Sequence, residues 1–403
     1  MPGTVSRLFV PPKGSYFLFG PRGSGKSTWL RHLHPDAHWI DLLDEGRYQR
    51  YLVDPSLFSA ELEALPRGAC VVVDEVQRLP ALLNVVHQKI ETRRLRFALS
   101  GSSARKLRRS GVNLLAGRAA RRALHPFVPE ELGTAFALAP TLEWGALPIV
   151  WGAEDRRDAL DGYVQMYLKE EIQAEAATRN LPGFARFLPI AALFHGQALN
   201  VSALARDAGV ARTTVQGYLQ ILEDTLFTFP LPAYEARLRV RERRHPKLYW
   251  VDPGLVRAVT GDRGPPDADS TGRLFEGWIA QLLRAYRDYR GICDDLAYWA
   301  PTESRDTEVD FLLRRGRERV AIESRRRGAG SRTLPRDSAP SPTSPVSNVA
   351  SWSTSAPNGS APRRGSRCCP CRCSSRSSRA GLADALYPFR RDPSGSSIGT
   401  RRW

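Results

Sequence analysis

The sequence predicts an α/β fold whose strands lie side by side in a parallel sheet. Short apolar runs at residues 15–19, 39–43, 69–73 and 96–99 are typical of buried strands. Stretches with helical periodicity separate these runs, and this alternation is typical of doubly wound sheets. A glycine-rich segment directly after the first run predicts a tight connection between a strand and a helix. We therefore expect residues 1–135 to form one α/β domain.

The glycine-rich segment matches the phosphate-binding pattern G-x-x-x-x-G-K-[ST], and it lies between a strand and a helix as that pattern requires. Glycines let backbone N–H groups reach phosphate oxygens, and the helix N-terminus adds its dipole. We expect Lys26 to neutralise the β- and γ-phosphates of a nucleotide and Ser27 to ligate Mg²⁺. The residues expected to bind the nucleotide are Gly20, Pro21, Arg22, Gly23, Ser24, Gly25, Lys26, Ser27 and Thr28.

Two acids, Asp74 and Glu75, follow the valine-rich run at residues 69–73. They lie at the carboxyl end of a predicted parallel strand, where α/β sheets bind ligands. We expect Asp74 to hold Mg²⁺ through water and Glu75 to position and polarise the attacking water. The alternative is a strand that ends in a solvated acidic turn.

Small hydroxyl residues follow the run at residues 96–99. Ser100 and Ser102 are equal candidates for contact with the γ-phosphate or the attacking water, and the alternative is an ordinary strand-end turn. Arg118 is a candidate for stabilising transition-state charge, within the chain or on a neighbouring subunit of a homo-oligomer, and the alternative is a solvated arginine. The predicted catalytic residues are Lys26, Glu75, Ser100, Ser102 and Arg118.

The composition excludes a membrane protein and a disulfide scaffold. Hydrophobic residues make up 42% of the 403 residues, and no apolar run approaches the roughly 20 residues that span a bilayer. Residues 1–10 lack the apolar stretch of a secretory signal. Cys70 and Cys293 are isolated in the sequence, which fits a reducing compartment. We therefore expect a cytoplasmic protein with no membrane partner.

Most of the net charge of +17 belongs to residues 324–403. That segment holds 15 Arg, 3 Asp and no Lys or Glu, so the first 323 residues carry only +5. Its 18 Ser and 9 Pro predict a disordered tail. The loss of one base after the codon for Glu323 explains the abrupt change, because it turns GAG-GTC-AAG-G (Glu-Val-Lys) into GAG-TCA-AGG (Glu-Ser-Arg). We expect an out-of-frame tail, and whether the slip is real or a sequencing error stays open.

Together these motifs resemble the AAA+ superfamily of P-loop ATPases. Within it, the chain is most similar to a prokaryotic family that joins an AAA-type ATPase domain to a winged helix and a C-terminal restriction-endonuclease-like domain. The resemblance implies ATP binding and Mg²⁺-dependent hydrolysis, and it covers residues 13–323 in order. The matching stretches are residues 20–27, 71–80, 99–107, 113–118, 126–132, 247–255 and 308–323.

Residues 200–215 have the pattern of a helix–turn–helix, in which a short helix ends at Gly209 and a second begins at Arg212. A basic segment that could form a wing follows this pattern. One interpretation is binding of duplex DNA, and the other is a winged helix that binds a protein partner or another part of the chain. The residues that would face the major groove are Arg212, Thr213, Thr214 and Gln216.

Glu276, Asp310 and Glu323 resemble the acidic set of a restriction-endonuclease-like core, which holds a divalent metal ion. The pattern requires Glu-x-Lys at the second strand, and Arg325 stands where the lysine belongs. The alternative is a decayed, structural version of this fold. A core that truly ends at Glu323 would also be truncated.

The domain organisation that follows is an ATPase domain (1–135), a helical linker or lid (136–185), an α-rich winged-helix domain (186–262), a partial α/β nuclease-like domain (263–323) and the tail (324–403). The leading hypothesis is an ATPase that drives a conformational change in the downstream modules. A DNA-binding regulator switched by ATP, with little turnover, and a metal-dependent nuclease are the alternatives.

Overall fold

The computed structural model describes residues 5–103, 115, 117–168, 181–235, 242–302, 308–324, 348–352 and 399–402. The chain forms two compact units. The first comprises Met1–Leu231 and His245–Tyr289, and the second comprises Pro232–Arg244 and Arg290–Trp403.

A five-stranded parallel sheet organises the N-terminal part of the first unit, as the sequence predicts. Its strands lie in the order β2-β3-β4-β1-β5, and every neighbouring pair is parallel. The strands are β1 (Ser15–Phe19), β2 (His38–Asp41), β3 (Cys70–Asp74), β4 (Arg96–Gly101) and β5 (Ala119–Ala123). The connecting helices are α1 (Lys26–Leu33), α2 (Glu45–Val53), α3 (Pro55–Glu63) and α4 (Leu82–Arg93), and a 3-10 turn spans Val76–Arg78.

Both faces of the central strands are buried, which explains their uninterrupted apolar sequences. Phe17, Val73 and Leu99 point into one hydrophobic cluster with helices α2, α3 and α4. Leu18 and Val72 point into the cluster on the other face, which includes Trp29 and Leu30 of α1.

Helices dominate the remainder of the first unit. They are α5 (Pro129–Leu132), α6 (Leu138–Trp144), α7 (Pro148–Trp151), α8 (Arg156–Gly162), α9 (Leu181–Leu193), α10 (Val201–Ala208), α11 (Arg212–Asp224), α12 (Pro253–Thr260) and α13 (Ala268–Arg290), with a 3-10 turn at Gly133–Ala135 and a π-helical turn at Tyr163–Leu168. Three strands, β6 (Gln197–Ala198), β7 (Thr228–Leu231) and β8 (Lys247–Trp250), form an antiparallel sheet in the order β6-β8-β7.

The second unit contains a sheet in the order β13-β12-β11-β10-β9. Its strands are β9 (Asp295–Trp299), β10 (Val309–Arg315), β11 (Glu318–Ser324), β12 (Asn348–Trp352) and β13 (Gly399–Arg402). Strands β10 and β11 form an antiparallel pair. Strands β12 and β13 lie within the segment predicted to be disordered, and β12 adds in parallel to the edge of β11. This addition uses backbone hydrogen bonds, which the Ser- and Arg-rich composition does not reveal.

Candidate nucleotide-binding site

The carboxyl ends of three neighbouring parallel strands bring the predicted nucleotide site together. Strand β1 lies beside β4, with Phe19 opposite Gly101, and β3 lies on the other side of β4, with Val73 opposite Leu99. The phosphate-loop sequence after β1, the acids at the end of β3 and the serines at the end of β4 therefore share one edge of the sheet. The connection from β1 runs toward β2 at one side of the sheet, whereas the connections that follow β2, β3 and β4 run in the opposite direction. This edge, beside β1 and β4, is therefore the expected ligand crevice.

The loop between β1 and α1 needs glycine at positions that the pattern specifies. Gly25, which precedes α1, has a φ of 83°, a left-handed conformation that glycine adopts without strain. A Cβ atom on Gly20 would lie 2.4 Å from the carbonyl oxygen of Leu124. The backbone therefore approaches its neighbours more closely than a side chain would allow, and the loop wraps tightly at the start of the helix.

Lys26 is buried, with 5% of its surface exposed, and its Nζ donates to the carbonyl oxygens of Gly20 (2.9 Å) and Pro21 (3.2 Å). The ammonium group is thus folded over the loop. The Ser24 hydroxyl at this loop is fully buried and has no hydrogen-bond partner among the described residues. A buried cation, an orphaned hydroxyl and the close backbone approach fit the phosphate groups of a nucleotide. Ser27 is half-buried at the first turn of α1, and Thr28 beside it is exposed.

Asp74 is the last residue of β3 and is 2% exposed. The Ser100 hydroxyl on the adjacent strand donates a hydrogen bond to Asp74 Oδ1. Ser100 therefore contacts the predicted metal-holding carboxylate. Carboxylate and hydroxyl oxygens are suitable ligands for Mg²⁺ and its bound water, so the donor set fits the predicted ion.

Glu75 is half-buried and has a φ of 56°, the left-handed conformation that few non-glycine residues adopt. Its Oε2 atom lies 3.2 Å from the hydroxyl of Ser102, and the side-chain amide of Gln77 donates to the same oxygen. Gln77 Nε2 also lies 3.0 Å from Ser102 Oγ. Ser100 and Ser102, equivalent in the sequence, thus have different partners: Ser100 contacts Asp74, and Ser102 contacts Glu75.

Arg118 is exposed just before β5, and its guanidinium donates to Glu91 on α4. The structure places it in this ion pair and does not bring it to Asp74, Glu75 or the loop. Its predicted role in stabilising transition-state charge stays a prediction.

The helix–turn–helix pattern corresponds to α10 and α11, joined through Gly209 with a φ of 63°. Arg212, Thr213 and Gln216 are exposed on α11, and Thr214 is half-buried. Arg237, Arg239 and Arg241 of the expected wing lie outside the described residues. The residues on either side of that segment belong to the second unit and pair with residues in and directly after its strand β9. Tyr234 N donates to Tyr298 O (2.7 Å), and Arg243 N donates to Ala300 O (2.9 Å).

The nuclease-like acids fall in different units. Glu276 lies on α13 in the first unit, where its Oε1 accepts hydrogen bonds from Lys247 Nζ (2.9 Å) and Tyr249 OH (2.5 Å). Asp310 and Glu323 lie on the paired strands β10 and β11 of the second unit, and Asp310 Oδ2 accepts from both the amide (2.7 Å) and the hydroxyl (2.8 Å) of Ser324. Within the described residues, no group of three or more His, Cys, Asp or Glu side chains is placed to hold a metal ion.

Sequence reasoning missed Gln77 and Tyr163 as residues of this site. Gln77 is only two positions beyond Glu75, so its closeness in the sequence could have indicated that it lies near the acid. Tyr163 is 141 residues from Arg22, to whose carbonyl its hydroxyl donates (2.7 Å), and no local pattern marks it.

In the part of the chain that the structure describes, no helix combines the length and hydropathy needed to cross a membrane.

Family models match three consecutive parts of the chain. Residues 13–133 match a family described as an AAA domain. Residues 137–265 and 271–336 match two domains of unknown function, DUF8612 and DUF4143.

Two curated relatives are Uncharacterized protein Rv2008c of Mycobacterium tuberculosis and Uncharacterized protein Mb2031c of Mycobacterium bovis. Each is 28% identical over 309 residues, which are 73% of this chain and 66% of the relative. The chain thus spans slightly less than two thirds of the length of these relatives.

A solved structure, a Signal Transduction ATPase with Numerous Domains (STAND) with a tetratricopeptide repeat sensor from Pyrococcus horikoshii, is 12% identical. It covers 71% of this chain and 52% of its own, with a TM-score of 0.26. The match of residues 13–133 and the parallel sheet around the phosphate-loop sequence support an AAA-type, nucleotide-binding ATPase domain.

Proposed function

We propose that this chain is a Mg²⁺-dependent ATPase that uses the edge of the β1-β4-β3 sheet to bind and hydrolyse ATP. The observation that carries the proposal is the convergence of the loop at residues 20–27 with Asp74 and Glu75 at that edge. The loop supplies backbone N–H groups and Lys26 for the phosphates. Asp74 and Ser27 would hold Mg²⁺, which neutralises phosphate charge when it is bound.

We assign to Glu75 the role of orienting the attacking water. A carboxylate at this position can accept a proton from water and orient it toward a phosphorus atom. The hydrogen bonds from Ser102 and Gln77 hold one carboxylate oxygen, Oε2, and restrict its orientation. The chain's own contribution to hydrolysis is then orientation of the water by Glu75 and retention of the phosphates by Lys26 and the loop.

The test uses the full chain and two substitutions. Lys26→Ala should abolish ATP binding measured by equilibrium titration, because the buried cation at the phosphates is lost. Glu75→Gln should retain binding and lose phosphate release. Omission of Mg²⁺ should stop turnover in the wild-type protein.

Matched controls separate chemistry from folding. Lys89→Ala removes another buried lysine, which pairs with Glu63 at 2.5 Å, and should leave ATP binding intact. Glu63→Gln removes a carboxylate of the same domain and should leave turnover intact. Undiminished phosphate release by Glu75→Gln would eliminate the role given to Glu75, and unchanged binding by Lys26→Ala would eliminate the site.

For the region after the ATPase domain, we propose a winged-helix module that responds to the nucleotide state. The order α9-β6-α10-α11-β7-β8, with a three-stranded antiparallel sheet, supports this architecture. Residues 234 and 243, which flank the expected wing, pair through their backbone with residues 298 and 300 of the same compact unit. This pairing favours a module that binds within the chain or to a protein over one whose wing enters DNA.

A DNA-binding regulator switched by ATP is the second candidate, because Arg212, Thr213 and Gln216 are exposed on α11. Duplex binding that falls steeply with salt and is weakened by Arg212→Ala would favour it. Absence of duplex binding at low salt would eliminate it. A metal-dependent nuclease requires Mg²⁺-dependent nicking that Asp310→Ala abolishes, and its support is the position of Asp310 and Glu323 on paired strands.

A further inference from the structure

Every carbonyl group of the phosphate-binding loop from Gly20 to Ser24 accepts a hydrogen bond. Lys26 Nζ donates to the carbonyls of Gly20 and Pro21. Three donors from distant parts of the first unit bind the next three carbonyls. These contacts are Tyr163 OH to Arg22 O (2.7 Å), Ile149 N to Gly23 O (3.2 Å) and Arg7 Nη1 to Ser24 O (3.4 Å).

The three distant donors act on the same peptide units that must face the phosphates. In a planar trans peptide, the C=O of one residue and the N–H of the next point in opposite directions. A donor that holds the carbonyl of Arg22 on the outer side therefore aims the N–H of Gly23 to the inner side. The same relation connects Ser24 O with Gly25 N–H, whereas the N–H of Ser24 donates to the carbonyl of Pro21 (3.2 Å) within the loop. Converging N–H groups of this kind form an anion-binding concavity.

Burial and ring packing fix the position of the Tyr163 side chain. It is 1% exposed, and its ring packs edge-to-face against Phe227 with centroids 6.1 Å apart. A Cβ atom on Gly23 would lie 3.3 Å from its ring, so the ring also lies directly against the loop. The hydroxyl is therefore held at the loop by a rigid, buried side chain.

Arg7 is similarly constrained, although its contact with the loop is longer. Its side chain is 4% exposed and lies 3.2 Å from Glu131 Oε1. It also donates to the carbonyl of His125 and reaches the hydroxyl of Tyr289 at 3.4 Å. The guanidinium is thus held by several partners in addition to Ser24. Its planar set of N–H donors allows it to bond to these partners at the same time.

We propose that Tyr163 and Arg7 are positioning residues for the nucleotide, which hold the phosphate-binding loop in its anion-accepting conformation without touching the ligand. This inference rests on the proposed function. It makes ATP affinity depend on a hydroxyl outside the stretch that matches the AAA domain. Loss of that hydroxyl leaves the peptide unit between Arg22 and Gly23 free to rotate, so part of the binding energy is spent on ordering it.

The main experiment compares wild-type protein with Tyr163→Phe, which removes one oxygen atom and keeps the ring. We expect the Kd for a fluorescent ATP analogue to rise about 3- to 10-fold, as expected for one hydrogen bond. KM for ATP should rise by a similar factor while kcat stays unchanged, because binding before the reaction is affected. Inorganic tripolyphosphate, used as a competitor, should lose affinity by the same factor, because the loop binds the phosphate groups.

Arg7→Lys provides a second variant that keeps the charge opposite Glu131 and loses the planar donor set. It should shift Kd in the same direction. Tyr51→Phe is the matched control, because it also removes a buried hydroxyl with a carboxylate partner, Glu61, elsewhere in the sheet domain. Its thermal midpoint should fall while its Kd for the ATP analogue stays at the wild-type value.

The outcomes separate this inference from the proposed function. A wild-type chain without affinity for ATP would overturn the proposed function. Wild-type binding with an unchanged Kd and KM in Tyr163→Phe would overturn the positioning role alone. A loss of ATP affinity with undiminished tripolyphosphate affinity would also overturn it, because Tyr163 would then act on the nucleoside and not on the phosphate loop.

Discussion

The hydroxyl of Ser102 lies 3.2 Å from Oε2 of Glu75, which connects the ends of strands β4 and β3 at the proposed active site. Gln77 completes a triangle, because its amide donates both to this carboxylate and to Ser102 Oγ. Glu75 is also held in the left-handed backbone region, at a φ of 56°. Its carboxylate therefore has a defined orientation, set by two neighbours that are themselves buried.

Gln77→Ala tests whether this orientation matters for hydrolysis. Without the amide, Glu75 keeps its charge but loses one of the two donors that fix Oε2. We expect kcat to fall about 10- to 100-fold, because small misplacements of a catalytic group have effects of this size. The KM for ATP should change little, since Gln77 does not belong to the phosphate loop.

Gln49→Ala is the surface control for that measurement, because the side-chain amide of Gln49 donates to the exposed side chain of Glu45, one turn earlier on α2. It should leave kcat unaltered. A Gln77→Ala variant with wild-type kcat would mean that Ser102 alone is sufficient to orient Glu75.

Ser100→Ala probes the hydrogen bond to Asp74. Asp74 is 2% exposed, and a buried carboxylate that loses a donor retains its desolvation penalty. We expect the free energy of unfolding, measured by urea titration without Mg²⁺, to fall by about 1–3 kcal/mol. Ser103→Ala is the control, since the buried Ser103 hydroxyl has no hydrogen-bond partner among the described residues. Its removal should be neutral or stabilising, and equal losses in the two variants would contradict the assigned bond.

Two glycines on helix α13 should respond oppositely to alanine. A Cβ atom on Gly277 would lie 1.8 Å from Nε2 of the buried His195, whereas one on Gly272 would meet nothing within 4 Å. Gly272→Ala should stabilise the protein by up to about 1 kcal/mol through helix propensity. Gly277→Ala should destabilise it by about 1–3 kcal/mol through overpacking. Thermal unfolding of both variants measures the difference, and a stabilising Gly277→Ala would mean that His195 can move aside.

The central part of the sheet and the phosphate loop could be predicted because their signals are local. The middle residues of strands β1, β3 and β4 are buried on both faces, so each strand contains a run of apolar residues. Strand β5 escaped prediction because it is an edge strand with exposed Arg121 and Arg122, which resembles a polar loop. Which serine contacts Asp74 and which contacts Glu75 depends on strand register, which the sequence does not specify.

The anchors of the loop could not be predicted for a different reason. Tyr163 and Arg7 contact backbone carbonyls, and a carbonyl places no demand on the residue type at its own position. Only the fold brings these side chains to Arg22 and Ser24. Motif-based reasoning therefore finds the groups that face the phosphates and misses those that hold them in place.

Asp252 should make the stability of the folded protein depend on pH. It is fully buried, and its carboxylate accepts hydrogen bonds from the amides of Gly254 (2.9 Å) and Ala146 (2.7 Å). Burial nevertheless raises its pKa to about 7, since these bonds only partly offset desolvation. Because the folded pKa lies above the unfolded value of about 4, the folded state binds more protons between these two values. Stability should therefore fall as pH rises from about 4 to about 7, by up to about 1.4 kcal/mol per pH unit from this group.

Asp252→Asn isolates that contribution, because all other titrating groups are common to both proteins. Asparagine can still cap helix α12, so the variant should fold, and its free energy of unfolding should lack the decline seen in the wild-type protein. Urea titrations at several pH values between 4 and 7 measure the difference of slopes. Asp54→Asn is the control: Asp54 is an exposed cap whose pKa is lowered by hydrogen bonds from Ser56. That variant should diverge from the wild-type curve only as pH falls through the acidic range below about 4. Parallel curves for the wild type and Asp252→Asn from pH 4 to pH 7 would mean that the carboxyl group of Asp252 ionises as readily in the folded chain as in the unfolded one.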